Sequence, residues 1–108
     1  MQNIDKMLEV LHVPRDLSHP DEVAEAEQII RYTSQLDAAA RDTLVALFKK
    51  GPLYDGDVPS KSGRNTLLAF GFATKIVMNG EDGYSACTYD GRDAYRLLES
   101  GLLNDNPT

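Results

Sequence analysis

Leu36, Ala40, Leu44, Leu47 and Phe48 repeat at i, i+4, i+8, i+11 and i+12, and no other stretch of this chain constrains the fold as strongly. That spacing draws one apolar stripe along an α-helix. Lys49 and Lys50 fall in its last turn, where positive charge complements the helix dipole. Gly51 is placed as the stop, and Pro52 prevents the helix from restarting. Asp55-Gly56-Asp57-Val58-Pro59-Ser60 then reads as a corner. Ser60 or Ser62 is positioned to cap a short second helix. That helix turns Leu67 and Leu68 inward, ends near Gly71 and leaves Phe72 to pack just beyond it.

Two strands are predicted next, Thr74 to Met78 and Tyr84 to Thr88, joined by the loop Asn79-Gly80-Glu81-Asp82-Gly83. Thr88 is placed to cap a last helix, with Ala94, Leu97 and Leu98 inward and Gly101 as its stop. Two shorter stripes precede this arrangement. Ile4, Met7, Leu8 and Leu11 form the first, which Pro14 ends. Val23, Ala26, Ile29, Ile30 and Thr33 form the second, which starts through Ser18-His19-Pro20-Asp21-Glu22. The predicted fold class is mainly α with a small β-hairpin, an α+β arrangement. The expected core of the second part gathers Leu44, Leu47, Phe48, Leu67, Phe72, Ile76 and Leu98, while Phe70 is expected at the surface.

Several kinds of chemistry have no support in the sequence. A chain of 108 residues fits one modest domain. It has no run of roughly 18 apolar residues, so no membrane span is expected. The first ten residues include Asp5 and Glu9 and lack the pattern of a secretory signal. A single cysteine cannot form an internal disulfide, and a cytoplasmic setting is expected. His12 and His19 lie outside metal-ligand spacing, so neither a metal nor a cofactor is expected. Asp55-Gly56-Asp57 opens like a calcium loop, but Pro59 and Thr66 stand at its fifth and twelfth positions. Cys87 has no base beside it in sequence and reads as a buried, inert thiol. Tyr84, Tyr89 and Tyr95 read as packing between the hairpin and the last helix. There is no glycine-rich phosphate loop and no pair of catalytic carboxylates, so no enzyme is predicted.

The net charge is −6, unevenly spread. Residues 1–40 carry eight acids and three cations, whereas residues 41–96 carry seven acids and eight cations. Such asymmetry separates a part able to face an anionic partner from a part that cannot.

The order helix, corner, helix, hairpin, helix over roughly residues 36–100 resembles the winged helix-turn-helix superfamily. Thr88-Tyr89-Asp90-Gly91-Arg92 is similar to the T-x-x-G-R pattern that follows the wing in MarR-like repressors. The resemblance implies a winged-helix domain at 36–103, a helical extension at 1–35 that caps or dimerises, and a flexible tail at 104–108. In that superfamily the helix before the wing enters the major groove. Lys61, Ser62, Arg64, Asn65 and Thr66 would then be the DNA-reading positions, and Lys75 would meet a phosphate. The implied function is a small DNA-binding transcriptional regulator. Its implied partners are double-stranded DNA and, through the N-terminal helices, a second copy of the chain. The alternative is the same module used for protein–protein contact, through Phe70, the acidic N-terminal part, or Glu81 and Asp82. The plainer readings are a solvated helix start for Arg64 and Asn65, dipole complements for Lys49 and Lys50, and a polar hairpin loop for Glu81 and Asp82.

Overall fold

The computed structural model describes residues 4–13 and 20–103. Pro14, Ser18, His19 and the tail 104–108, all given roles above, lie outside the described residues. Among the described residues the chain is mainly helical with one small antiparallel sheet. The helices are α1 (Ile4–Val10), α2 (Pro20–Ser34), α3 (Ala38–Lys50), α4 (Lys61–Phe70) and α5 (Tyr89–Ser100). The strands are β1 (Leu53–Tyr54), β2 (Ala73–Met78) and β3 (Glu81–Cys87), in the order β1-β3-β2. One turn of 3-10 helix, Asp55–Asp57, leads from β1 toward α4. No helix among the described residues is long and apolar enough to cross a membrane.

The chain forms two compact units, and the division falls inside α5. The first holds the described residues up to Gln35 together with those from Arg96 onward. Its core is Met7, Leu8, Leu11, Ala26, Ile30, Leu97 and Leu103, all buried. The stripes of α1 and α2 therefore bury as their spacing requires. Val23 and Ile29 are half-buried against the same cluster. Helix α1 closes on itself: His12 takes a positive φ of 58° and Val13 N–H donates to the Leu8 carbonyl. The three residues after the helix, Leu11, His12 and Val13, thus satisfy the carbonyls of Met7, Glu9 and Leu8.

The second unit is Leu36–Tyr95. Helix α3 packs on α4 and β3, and α4 packs on β2. Asp37 starts α3 by accepting from Ala40 N–H at 2.8 Å, so Leu36 sits just outside the helix, buried. Gly63 lets α3 and α4 approach closely, since a Cβ there would lie 2.6 Å from the Ala39 carbonyl oxygen. Thr43 sits on the same seam, donating to the Ala39 carbonyl at 2.8 Å with the Ser60 carbonyl 3.4 Å away. The C-terminal end of α4 turns through Gly71 in the left-handed region, and Phe72 N–H donates to the Leu67 carbonyl. This closure places Phe72 and Leu67, both buried, against the helix end.

The structure departs from the sequence reading in definite places. Leu44, Leu47, Leu67 and Phe72 are buried as expected. Phe48 is 37% exposed and stacks on Tyr95, with ring centroids 3.9 Å apart. Ile76 is half-buried, on an edge strand of a sheet too small to cover it. Leu98 is half-buried in the core of the other unit. Phe70 is half-buried rather than exposed, edge-on to Phe72. The five-residue hairpin loop is in fact two residues, Asn79 and Gly80, both with positive φ as a tight primed turn demands. Glu81 and Asp82 consequently open β3 instead of forming the tip. Between the Ile76–Tyr84 and Met78–Glu81 pairs, β3 holds one residue more than β2. That bulge is accommodated at Gly83, whose φ is 93°. β1 was not anticipated at all: two residues with no alternating pattern give no strand signal.

Candidate nucleic-acid interface

Six polar side chains were singled out, five on the first two turns of α4 and one on β2. The helix start is well fixed. Ser60 caps α4 by accepting from Gly63 N–H at 2.9 Å, and its hydroxyl lies 3.1 Å from that of Ser62. Lys61, Ser62 and Asn65 are exposed. Ala69 is exposed further along the same side, so this face of α4 is polar and small. Thr66 is half-buried and donates back to the Ser62 carbonyl at 3.2 Å. No acid lies within α4.

Arg64 is held differently. Its side chain is only 12% exposed, and one terminal nitrogen lies 2.6 Å from Asp55 Oδ1. Its Nε donates to Asn65 Oδ1 at 3.3 Å and its Nη2 to the same oxygen at 3.0 Å. The guanidinium therefore bridges the 3-10 turn and α4. The sequence places Asp55 in the corner before α4 and in a rejected calcium-loop match, and neither reading pairs it with Arg64. The two are nine positions apart in sequence, and no periodicity links them. Among the described residues no group of three or more His, Cys, Asp or Glu is arranged to hold a metal ion.

Lys75 is exposed on β2, opposite Ser85. It helps line a shallow recess of about 300 Å³ with Asp55, Ile76, Val77, Asp82 and Gly83. A phosphate brought to Lys75 would thus meet the fields of two carboxylates at the rim, which weakens its attraction. Tyr54 lies over the bulge: a Cβ on Gly83 would come within 3.0 Å of its ring, and the ring meets Tyr84 edge-on at 5.4 Å. Ser85, fully buried in the central strand, has a hydroxyl with no hydrogen-bond partner.

The Thr88-Tyr89-Asp90-Gly91-Arg92 segment acts as a joint. Thr88 Oγ1 accepts from Gly91 N–H at 3.0 Å and donates to the Gly71 carbonyl at 2.6 Å. Thr88 N–H donates to the Phe72 carbonyl at 3.1 Å. Gly91 is buried against that same carbonyl, leaving no room for a Cβ, which would also fall 2.8 Å from Cys87 Sγ. The threonine and glycine thereby fasten the start of α5 to the turn that follows α4. Arg92 lies over the Tyr89 ring, 5.6 Å from its centroid. Burial pushes the Cys87 thiol above its ordinary value, and Arg92 opposes that shift.

Comparison with family models, with curated proteins and with solved structures finds no match to this chain.

Proposed function

We propose that Leu36–Tyr95 is a winged helix-turn-helix module that binds duplex DNA, as part of a small cytoplasmic regulator. Helix α4 enters the major groove, and the β2–β3 hairpin lies along the backbone. One observation carries this reading: the outward face of α4 is Lys61, Ser62, Asn65 and Ala69, free of acids and of bulky apolar groups, in a chain of net charge −6. A helix roughly 10 Å across enters a groove about 12 Å wide only if its outer side chains are small or can bond to base edges. Short polar residues meet both conditions.

The test is retention on duplex DNA across a salt series. With Lys61, Lys75, Lys49 and Lys50 as the candidate phosphate contacts, the logarithm of affinity should fall with log salt at a slope of about −2 to −4. Lys75→Ala should flatten that slope by about one unit and weaken all sequences alike. Absence of salt-sensitive retention at low ionic strength would overturn the proposal.

A second reading has its own observation. Phe48, Tyr54, Val77 and Tyr89, the large exposed apolar residues among the described residues, all belong to this unit. A protein partner seated on them would be lost with Tyr54→Ser and Val77→Ser, while duplex retention stayed as it was.

A further inference from the structure

Arg64 and Asn65 are the two side chains of α4 best shaped for base edges, and the structure gives them unequal parts. The guanidinium is largely buried and is committed on both sides, to Asp55 and to Asn65. A guanidinium has only N–H donors, so the Asn65 atom facing it has to be the carbonyl oxygen. The amide orientation is thereby fixed by chemistry. Asn65 Oδ1 already accepts two N–H groups, which fills both of its lone pairs. The Asn65 side chain is exposed, and its NH₂ group is the only part left for a ligand.

An unconstrained asparagine reads adenine by donating to N7 and accepting from N6. With the oxygen occupied, the second half of that pattern is lost. Two N–H donors remain, and the major-groove edge with two adjacent acceptors is guanine, through N7 and O6. We infer that Asp55 and Arg64 clamp Asn65 as a donor-only reader, so that α4 selects guanine where a free asparagine would select adenine. The inference rests on the duplex-binding reading above. Arg64 is in this account a positioning residue, and Asp55 positions Arg64. The ion pair ties the Arg64 guanidinium on α4 to Asp55 in the 3-10 turn, and with the Arg64 side chain only 12% exposed it is shielded from water more than an ordinary surface pair.

The experiment selects bound molecules from a pool of short duplexes randomised over a central segment, at low salt, and sequences them. Wild type should enrich guanine over adenine at one position by at least about fivefold, the low end of what a good base contact discriminates. Asn65→Ala should erase the preference at that position and leave the others. Arg64→Met frees the Asn65 oxygen and should shift the same position toward adenine. Far-UV circular dichroism checks that this variant folds. Should it not, Asp55→Asn removes the anion that anchors the guanidinium and should shift the position in the same direction. In the free protein, the Arg64 Nε–H resonance should be protected from exchange and should lose that protection in Asp55→Asn. Duplex binding with adenine at the Asn65-dependent position, or with no such position, overturns this inference and leaves the duplex-binding reading intact. Absence of duplex binding by wild type overturns both. An unprotected Nε–H in wild type overturns the clamp whatever the DNA result.

Discussion

In the unit built from α1, α2 and the end of α5, every large apolar side chain among the described residues is buried or half-buried. In Leu36–Tyr95 four remain exposed, and Tyr89 is 84% exposed. The first unit is packed by helical stripes meeting one another, with acids on the outside. The second has a buried stripe of its own in Leu44, Leu47, Leu67 and Phe72, and adds polar joints and glycine contacts: Thr43 and Gly63 between α3 and α4, and Thr88 and Gly91 between the turn after α4 and α5. Stripe packing uses whole helix faces. Joint packing uses a few atoms at close approaches, and it leaves a helix face such as that of α4 open to a partner.

This contrast can be broken by mutation, and the largest effect is expected at a joint. Gly91→Ala drives a methyl into the Phe72 carbonyl, with backbone on one side and Cys87 on the other. It should cost more than about 3 kcal/mol in urea unfolding, at or beyond the usual range for overpacking. A loss below about 1 kcal/mol would mean that the joint yields easily. Leu44→Ala and Leu8→Ala probe one fully buried leucine in each unit. Each should cost about 2–5 kcal/mol. A negligible cost at Leu8 alone would show that the first unit is not packed by its stripes. Thr88→Ala removes a cap and strands the Gly71 carbonyl, for a loss of about 1–2 kcal/mol, whereas Thr88→Ser should retain most of the stability. Tyr89→Ser should move stability by less than about 0.5 kcal/mol, since the side chain is mostly in water. A larger loss would assign this exposed ring to the fold and remove it from any contact surface.

The sequence made the stripe-packed parts legible. Met7, Leu8, Leu11, Ala26 and Ile30 are all buried, as the i, i+3, i+4 spacing requires. Helix stops at Gly51 and Gly71 and the cap at Thr88 were also readable, while the α4 cap was narrowed to Ser60 or Ser62 and the structure gives Ser60. What was missed depends on tertiary geometry. The β1 pairing with β3 rests on two residues brought alongside by a corner. The hairpin loop was read too long because Gly83 looks like a loop residue and is a bulge residue. At the candidate interface, the positions came from the resemblance to winged helices, and of the five on α4 the structure exposes Lys61, Ser62 and Asn65. The ion pair that withdraws Arg64 was not legible, because Asp55 reaches it only through the fold of the 3-10 turn.

The most direct measurement of the central claim is a titration of the isotopically labelled full chain with a short duplex, followed by backbone and side-chain amide shifts. Perturbations should concentrate on Lys61 to Thr66 and on β2 around Lys75, fade as salt is raised, and leave α1 and α2 unmoved. Shifts centred instead on Phe48, Tyr54 and Tyr89, or no salt-sensitive shifts at all, would contradict the account.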